Sequence, residues 1–292
     1  MRKIGAHHGL TLLFLAGLIV LTLLFRQKIP LWHSLLLRYC LWLGVIFVLQ
    51  ISSERKIAGK IAILVNDFSP IFFIILIYQS LGDLIQYLRP DIDPDLIKID
   101  LSLFGVHPTL WMEQWIIPWF TDIMSFAYIS YYFLPVILIV TLYLKDRRPE
   151  FNTAIFVLTF GYYLSFIGYI LFPAIGPRYT LTHLYSVPLE GVTFLTDFVR
   201  DLLNGIEGNK RDCMPSGHTQ IVLMVLFLAR RYEKVLFYIF FPIVCGLILS
   251  TVYLRYHYVI DLFVGAAIAV GSTIIAHRLY EWWNRQKLED SQ

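Results

Sequence analysis

Long apolar runs separated by short charged turns dominate this chain. They cover residues 9–25, 31–53, 61–88, 123–144, 151–175, 215–229, 235–254 and 258–277. A helix needs about 20 apolar residues to cross the ~30 Å hydrocarbon core of a bilayer, and most of these runs meet that length. They are apolar on every face, which excludes the one-sided helices of a soluble core. The pattern predicts an all-α fold, a polytopic membrane helical bundle of about eight spans. Arg2 and Lys3 precede the first run, as in a signal peptide. That run ends Leu23-Leu24-Phe25-Arg26 with no small-x-small cleavage site, so a retained span is expected.

Composition agrees with the pattern. Of 292 residues 58% are hydrophobic and 15% charged, against about 25% charged in an ordinary soluble domain. Three cysteines cannot frame a disulfide-stapled module. A net charge of +3, dispersed along the chain, points away from nucleic acid as a partner. Lysine and arginine crowd the short turns on one side, as in Lys145-Asp-Arg-Arg148 and Arg230-Arg231. The positive-inside rule makes that side cytoplasmic, with both termini. The long loops 89–122 and 176–214 then lie on the periplasmic, extracellular or lumenal side.

In the first of those loops, residues 89–100 read as a Pro- and Asp-rich turn. Trp111, Trp115 and Trp119 then recur every four residues, which predicts a helix over 108–119 lying at the membrane–water boundary. No internal repeat or linker divides the chain. A single integral-membrane domain, 1–292, is expected, with two extra N-terminal spans in 1–56 and a core in 57–280.

Ionisable residues at a membrane edge are costly and therefore suspect as functional groups. Three segments carry them on the loop side: Phe172-Pro-Ala-Ile-Gly-Pro-Arg178, Arg211-Asp-Cys-Met-Pro-Ser216-Gly217-His218, and Arg255-Tyr-His257-Tyr-Val-Ile-Asp261. On a helix, His257 and Asp261 at i, i+4 would share a face. The carboxylate could then accept from one imidazole nitrogen and leave the other as a directed base or nucleophile. A structural pair holding the helix end is the competing account. Pro215-Ser216-Gly217 suits a helix start, whose amides form a ready anion site with His218 at the rim. Arg178 offers the planar fork that binds phosphate in a bidentate manner. Cys213 reads as incidental, and Arg38, Asp67 and Asp83 as structural pairs inside the bundle. No carboxylate cluster has the oxygen count of a Mg²⁺ or Ca²⁺ site, so neither metal nor cofactor is expected.

Pro-Ser-Gly-His218 followed by His257-x3-Asp261 resembles the second and third motifs of the type 2 phosphatidic acid phosphatase superfamily, and Gly-Pro-Arg178 resembles its first. The set is similar in particular to the branch containing inositol phosphorylceramide synthases, with the likeness running from about Asp100 to Gly265. It departs from the usual pattern at two cations: Leu171 stands at the lysine position and Thr251 at an arginine position. Arg255, Arg211 or Lys210 could supply replacement charge. The resemblance implies a six-helix phosphatase core and a metal-independent phosphoric ester hydrolase or phosphotransferase. It implies a phosphohistidine on His257 oriented by Asp261, His218 as acid and base, and Arg178, Ser216 and Gly217 around the phosphoryl oxygens. The expected substrate is a lipid phosphate or phospholipid drawn from the bilayer. Hydrolysis is the default expectation. The alternative is transfer of a phosphoryl or phospho-alcohol group to a lipid hydroxyl, and a transporter or scaffold is the non-enzymatic rival.

Overall fold

A computed structural model describes residues 5–54, 59–206 and 208–289. Three long helices come first: α1 (Ala6–Leu24), α2 (Trp32–Glu54) and α3 (Lys60–Ile85). Two short ones follow, α4 (Asp93–Phe104) and α5 (Pro108–Trp111). Then come α6 (Pro118–Ile129), α7 (Leu134–Leu144), α8 (Arg148–Leu171), the single turn α9 (Pro177–Thr180) and α10 (Leu195–Ile206). The chain closes with α11 (Gly217–Tyr232), α12 (Lys234–Tyr253) and α13 (Val259–Glu289). No strand occurs among the described residues.

Six of these helices, α1, α2, α3, α8, α12 and α13, are long and apolar enough to cross a membrane. The run expected at 123–144 is split into α6 and α7, which meet at a 46° bend and together make a seventh candidate. Pro135 explains the break, since it cannot donate to the carbonyl one turn back and its ring crowds that turn. The run expected at 215–229 is α11, a helix of only 16 residues, 11 of them buried.

Between helices in lipid, apolar burial contributes little, and close packing with polar contacts holds the bundle. Ile221, Val225 and Leu228 of α11 pack into one cluster with Leu138 of α7, Ala154 of α8, Leu247 of α12 and Ala269 of α13. A second cluster joins α1, α2 and α3 to Tyr163, Phe166 and Tyr169 of α8. Polar pairs lie within these clusters: Arg38 to Asp83 at 2.7 Å, Tyr163 to Thr11 at 2.9 Å, and His8 between Ser69 and Gln50 at 2.8 and 2.6 Å. Asp67 pairs with Arg148. Arg38, Asp67 and Asp83 are thus each paired, as the sequence suggested, with Asp67 mostly buried and the Arg38 and Asp83 side chains about half exposed.

The tryptophan helix differs from expectation. Pro108–Trp111 is one α turn, Met112–Trp115 a 3₁₀ turn, and Ile116 and Ile117 are extended before Pro118 starts α6. Trp119 therefore belongs to a different helix from Trp111 and Trp115, although all three are exposed. The proline at 118 disfavours helical backbone at Ile117, which ends the run.

Candidate active site

The three motif segments emerge from the ends of α8, α11 and α13 and are fastened to one another by a fourth segment, the acidic stretch around α4. Asp91 takes a bidentate ion pair from Arg211, at 2.6 and 3.1 Å. Asp93 accepts from the amides of Ile175 and Gly176 at 2.9 and 2.8 Å and from the Tyr258 hydroxyl at 2.9 Å. Asp100 accepts from the amides of Val259 and Ile260 at 2.8 and 2.9 Å. It caps α13 from outside, satisfying donors that a helix start leaves orphaned. Burial pushes the Asp100 carboxyl up, against the pull of those two amides. Gly176 has φ +88, and a Cβ there would lie 2.5 Å from the Tyr256 carbonyl, so the first and third segments touch backbone to backbone. Gly265 does the same for the second, since its Cβ would meet the Ser216 carbonyl at 2.5 Å.

His257 lies two residues ahead of α13, in a turn closed by the Thr251 carbonyl, which accepts from the amides of Tyr256 and His257 at 2.9 and 3.1 Å. Its Nδ1 is 2.9 Å from the Cys213 carbonyl, which can only accept, so Nδ1 carries the proton. Nε2 of the neutral ring is then a lone pair, 3.2 Å from Nδ1 of His218. His218 is buried, with Tyr128 and Tyr131 against its ring at 4.6 and 4.3 Å, and its Nε2 has no partner among the described residues.

The expected same-face helical pair is thus realised differently. Asp261 is the third residue of α13, and its Oδ2 reaches back to the Tyr258 amide at 2.9 Å, the return half of a capping box. The same oxygen accepts from the Cys213 thiol at 2.9 Å and stands 3.5 Å from His257 Nδ1. Cys213 is therefore not incidental: its carbonyl holds one face of this cluster and its thiol the other. Burial, followed by the nearby Asp261 charge, pushes that thiol well above its ordinary range. Cys213, His257 and Asp261 place three donor atoms within 4.8 Å of one another. A metal there would need the thiolate, which this setting disfavours.

A cavity of about 150 Å³ opens in front of the two histidines. Arg178 and Lys210 bring positive charge to it, and Asp212, Asn209 and Tyr256 add polar atoms. Arg178 donates to the Tyr256 hydroxyl at 3.0 Å, which orients the guanidinium over the site. The other sequence candidates lie elsewhere. Ser216 is the cap of α11, where its Oγ accepts from the Thr219 amide at 3.2 Å. Gly217 packs so closely on Tyr169 that a Cβ would lie 2.1 Å from its hydroxyl. Arg211 is held by Asp91, and Arg255 by Glu113 at 2.8 Å with its guanidinium 3.8 Å from the Tyr185 ring centre. Neither Arg211 nor Arg255 lines this cavity, because each has a carboxylate that draws it away. Of the three proposed replacement cations, Lys210 is the one beside Arg178. Arg255 instead lines a separate cavity of about 490 Å³ with mixed polar and apolar walls, which meets the first at Arg178 and Tyr256.

On the bundle side a third cavity, about 350 Å³, shares His218 and Asp212 with the first. Its walls are apolar and aromatic, from Ile74 and Ile75 of α3 to Tyr162 and Phe166 of α8. Sequence reasoning missed Asp212 and the acidic positions 91, 93 and 100. The repeated aspartates of residues 89–100 were the available signal, but spacing alone could not show which amides they would reach.

A profile of the PAP2 superfamily matches residues 94–275, more than half of the chain, and the chain belongs to that superfamily. It is accordingly a phosphatase- or phosphotransferase-type lipid enzyme. No curated protein and no solved structure matches it.

Proposed function

We propose that the chain cleaves a lipid phosphoester through a phosphohistidine on His257. The observation that carries this reading is the histidine pair, with one lone pair defined by the Cys213 carbonyl and set against His218 in the wall of a cavity that Arg178 and Lys210 also line. The His257 Nε2 lone pair attacks phosphorus as the P–O bond to the lipid breaks, and His218 delivers the proton to the leaving oxygen. In the second half, an incoming hydroxyl gives its proton to His218 and its oxygen displaces His257. The 3.2 Å contact between the rings must open for the phosphoryl group to reach Nε2. Arg178 and Lys210 offset the charge on the phosphoryl oxygens. Asp261 and Cys213 keep the imidazole in the attacking tautomer.

Quench of the enzyme with a ³²P-labelled phospholipid in alkaline detergent, which denatures the protein and preserves an N–P bond, tests the reading. Label on the protein that is stable to base, labile to acid and absent from His257→Ala is expected. Turnover with no such label sinks the proposal.

Hydrolysis and transfer share the first half. The second cavity, beyond Arg178, favours transfer as the second reading, since a phosphodiester has a substituent for each side of the phosphate. The sidedness in this proposal follows the arginine- and lysine-rich turns, which put the site on the non-cytoplasmic face. With the exposed Cys40 and Cys245 replaced by serine, Val192→Cys should label from outside and Arg231→Cys from inside. The reverse labelling would move the site to the cytoplasmic leaflet.

A further inference from the structure

A carboxylate beside a phosphate site needs explaining, because it opposes the charge the site must bind. Asp212 lines both the small polar cavity and the apolar one, and His218 is the other residue common to the two. The Tyr78 hydroxyl donates to its Oδ2 at 2.6 Å and fixes it there. Tyr78 belongs to α3, as do Ile74, Ile75 and Gln79 of the apolar wall, and α3 lies outside the stretch that matches the superfamily. A helix outside the matched stretch therefore builds one side of the cavity and anchors the acid at its mouth.

We infer that Asp212, held by Tyr78, is the binding residue for the hydroxyl of a long-chain alcohol acceptor whose chain occupies the apolar cavity. This rests on the phosphohistidine reading above and names its second substrate. A carboxylate accepts strongly from a hydroxyl and repels a second phosphate charge, so the group it favours beside the phosphate is a neutral alcohol. His218, across the same mouth, is placed to take the proton as the alcohol oxygen attacks phosphorus and the bond from phosphorus to His257 Nε2 breaks. The product is a phosphodiester of the acceptor when the enzyme carries a phospho-alcohol group, and neutral His257 is restored. Water needs neither the apolar wall nor the tyrosine. Burial pushes the Asp212 carboxyl above the usual range, against the Tyr78 hydrogen bond and the nearby His257.

The test uses the full-length protein in liposomes with a phospholipid donor carrying ³²P, with and without hexadecanol. Two quantities are read: label trapped on the protein, and the ratio of alkyl phosphodiester to hydrolysis product. Wild type should form the alkyl phosphodiester. Asp212→Asn and Tyr78→Phe should keep the trapped label while the ratio falls about tenfold or more, the scale of one hydrogen bond to a charged group. An unchanged ratio in both variants, or hydrolysis as the sole outcome in wild type with hexadecanol present, overturns the inference. So does loss of the trapped label in parallel with the ratio, which would make Asp212 part of the first half. Absence of label from wild type instead overturns the phosphohistidine reading itself. If Asp212→Asn fails to fold, Tyr78→Phe decides alone, since it deletes one hydroxyl.

Discussion

The two ends of the bundle spend their carboxylates on different partners. Where the histidines lie, Asp93 and Asp100 each hold two backbone amides, and Asp122 holds the amides of Val192 and Thr193 at 3.0 and 2.9 Å. At the opposite end, Glu233 takes Lys145 at 2.8 Å and Arg147 at 3.3 Å, while Arg147 also reaches Glu150 at 2.8 Å. An amide is fixed in the chain, so a carboxylate bound to two of them sets the path of a segment. A lysine paired with a glutamate near the surface fixes two flexible tips and is worth about 1 kcal/mol or less. The loop end thus adds carboxylates that fix backbone to its ion pairs Asp91–Arg211 and Glu113–Arg255, whereas Glu233 at the turn end holds cationic side chains.

Four experiments bear on that contrast. The largest effect is expected from His257→Ala and His218→Ala, each lowering turnover by roughly four orders of magnitude, with the double variant little worse because the two act as a unit. Near-normal turnover in either single variant, measured on folded protein, would separate the pair from the chemistry. Next come Asp93→Ala and Asp100→Ala. Each should lower kcat about ten- to a hundredfold by letting Arg178 or His257 drift, with smaller change in KM. A loss of thermal stability with kcat intact would reduce these aspartates to ordinary caps.

Asp212 gives a smaller, pH-dependent effect. Its raised carboxyl faces Tyr78 and Tyr169 as well as His218, His257, Arg178 and Lys210. In the folded chain it holds its proton to higher pH than in the unfolded one, so stability falls as pH rises between those two values. Transfer to hexadecanol should rise as pH passes through the folded value, where the enzyme's own Asp212 loses its proton, and Asp212→Asn should flatten both curves. Parallel pH profiles in wild type and variant would remove Asp212 from the account. The smallest effect belongs to Glu233→Gln. Lys145 hydrogen bonding holds that carboxyl low, so its contribution is present above the ordinary carboxylate range and lost as pH falls through the folded value. A modest drop in melting temperature at neutral pH with unchanged kcat is expected. A change in kcat would show that the two ends are coupled.

The sequence made some of this readable and hid the rest for identifiable reasons. Apolar runs of full length translate directly into helices because nothing else satisfies the backbone in lipid. The convergence of residues 178, 218 and 257 was visible as three polar segments at alternate ends of neighbouring runs. What spacing could not give was how His257 and Asp261 meet. Their i, i+4 interval suggested one helical face, yet His257 stands in a turn and Asp261 meets it as the capping residue of the next helix. Arg255 and Arg211 looked like phosphate ligands because their own partners, Glu113 and Asp91, are more than a hundred residues away. Asp212 gave no signal either, since its meaning depends on Tyr78 of α3.

The brevity of α11 has a consequence for how a substrate arrives. Sixteen residues rise about 24 Å, some 6 Å less than the ~30 Å hydrocarbon layer. In the proposed orientation, with Arg230 and Arg231 of its last turn at the cytoplasmic boundary, the first turn of α11, with His218, ends inside the opposite one. Because α11 is walled in by its neighbours, this mismatch cannot be relieved by thinning the lipid around it, and it becomes a recess in the protein. A phosphate group meeting the site at that depth leaves its chains in the bilayer. Lifting them by four methylenes would cost about 3 kcal/mol at ~0.8 kcal/mol each, and lateral arrival along the recess removes that barrier.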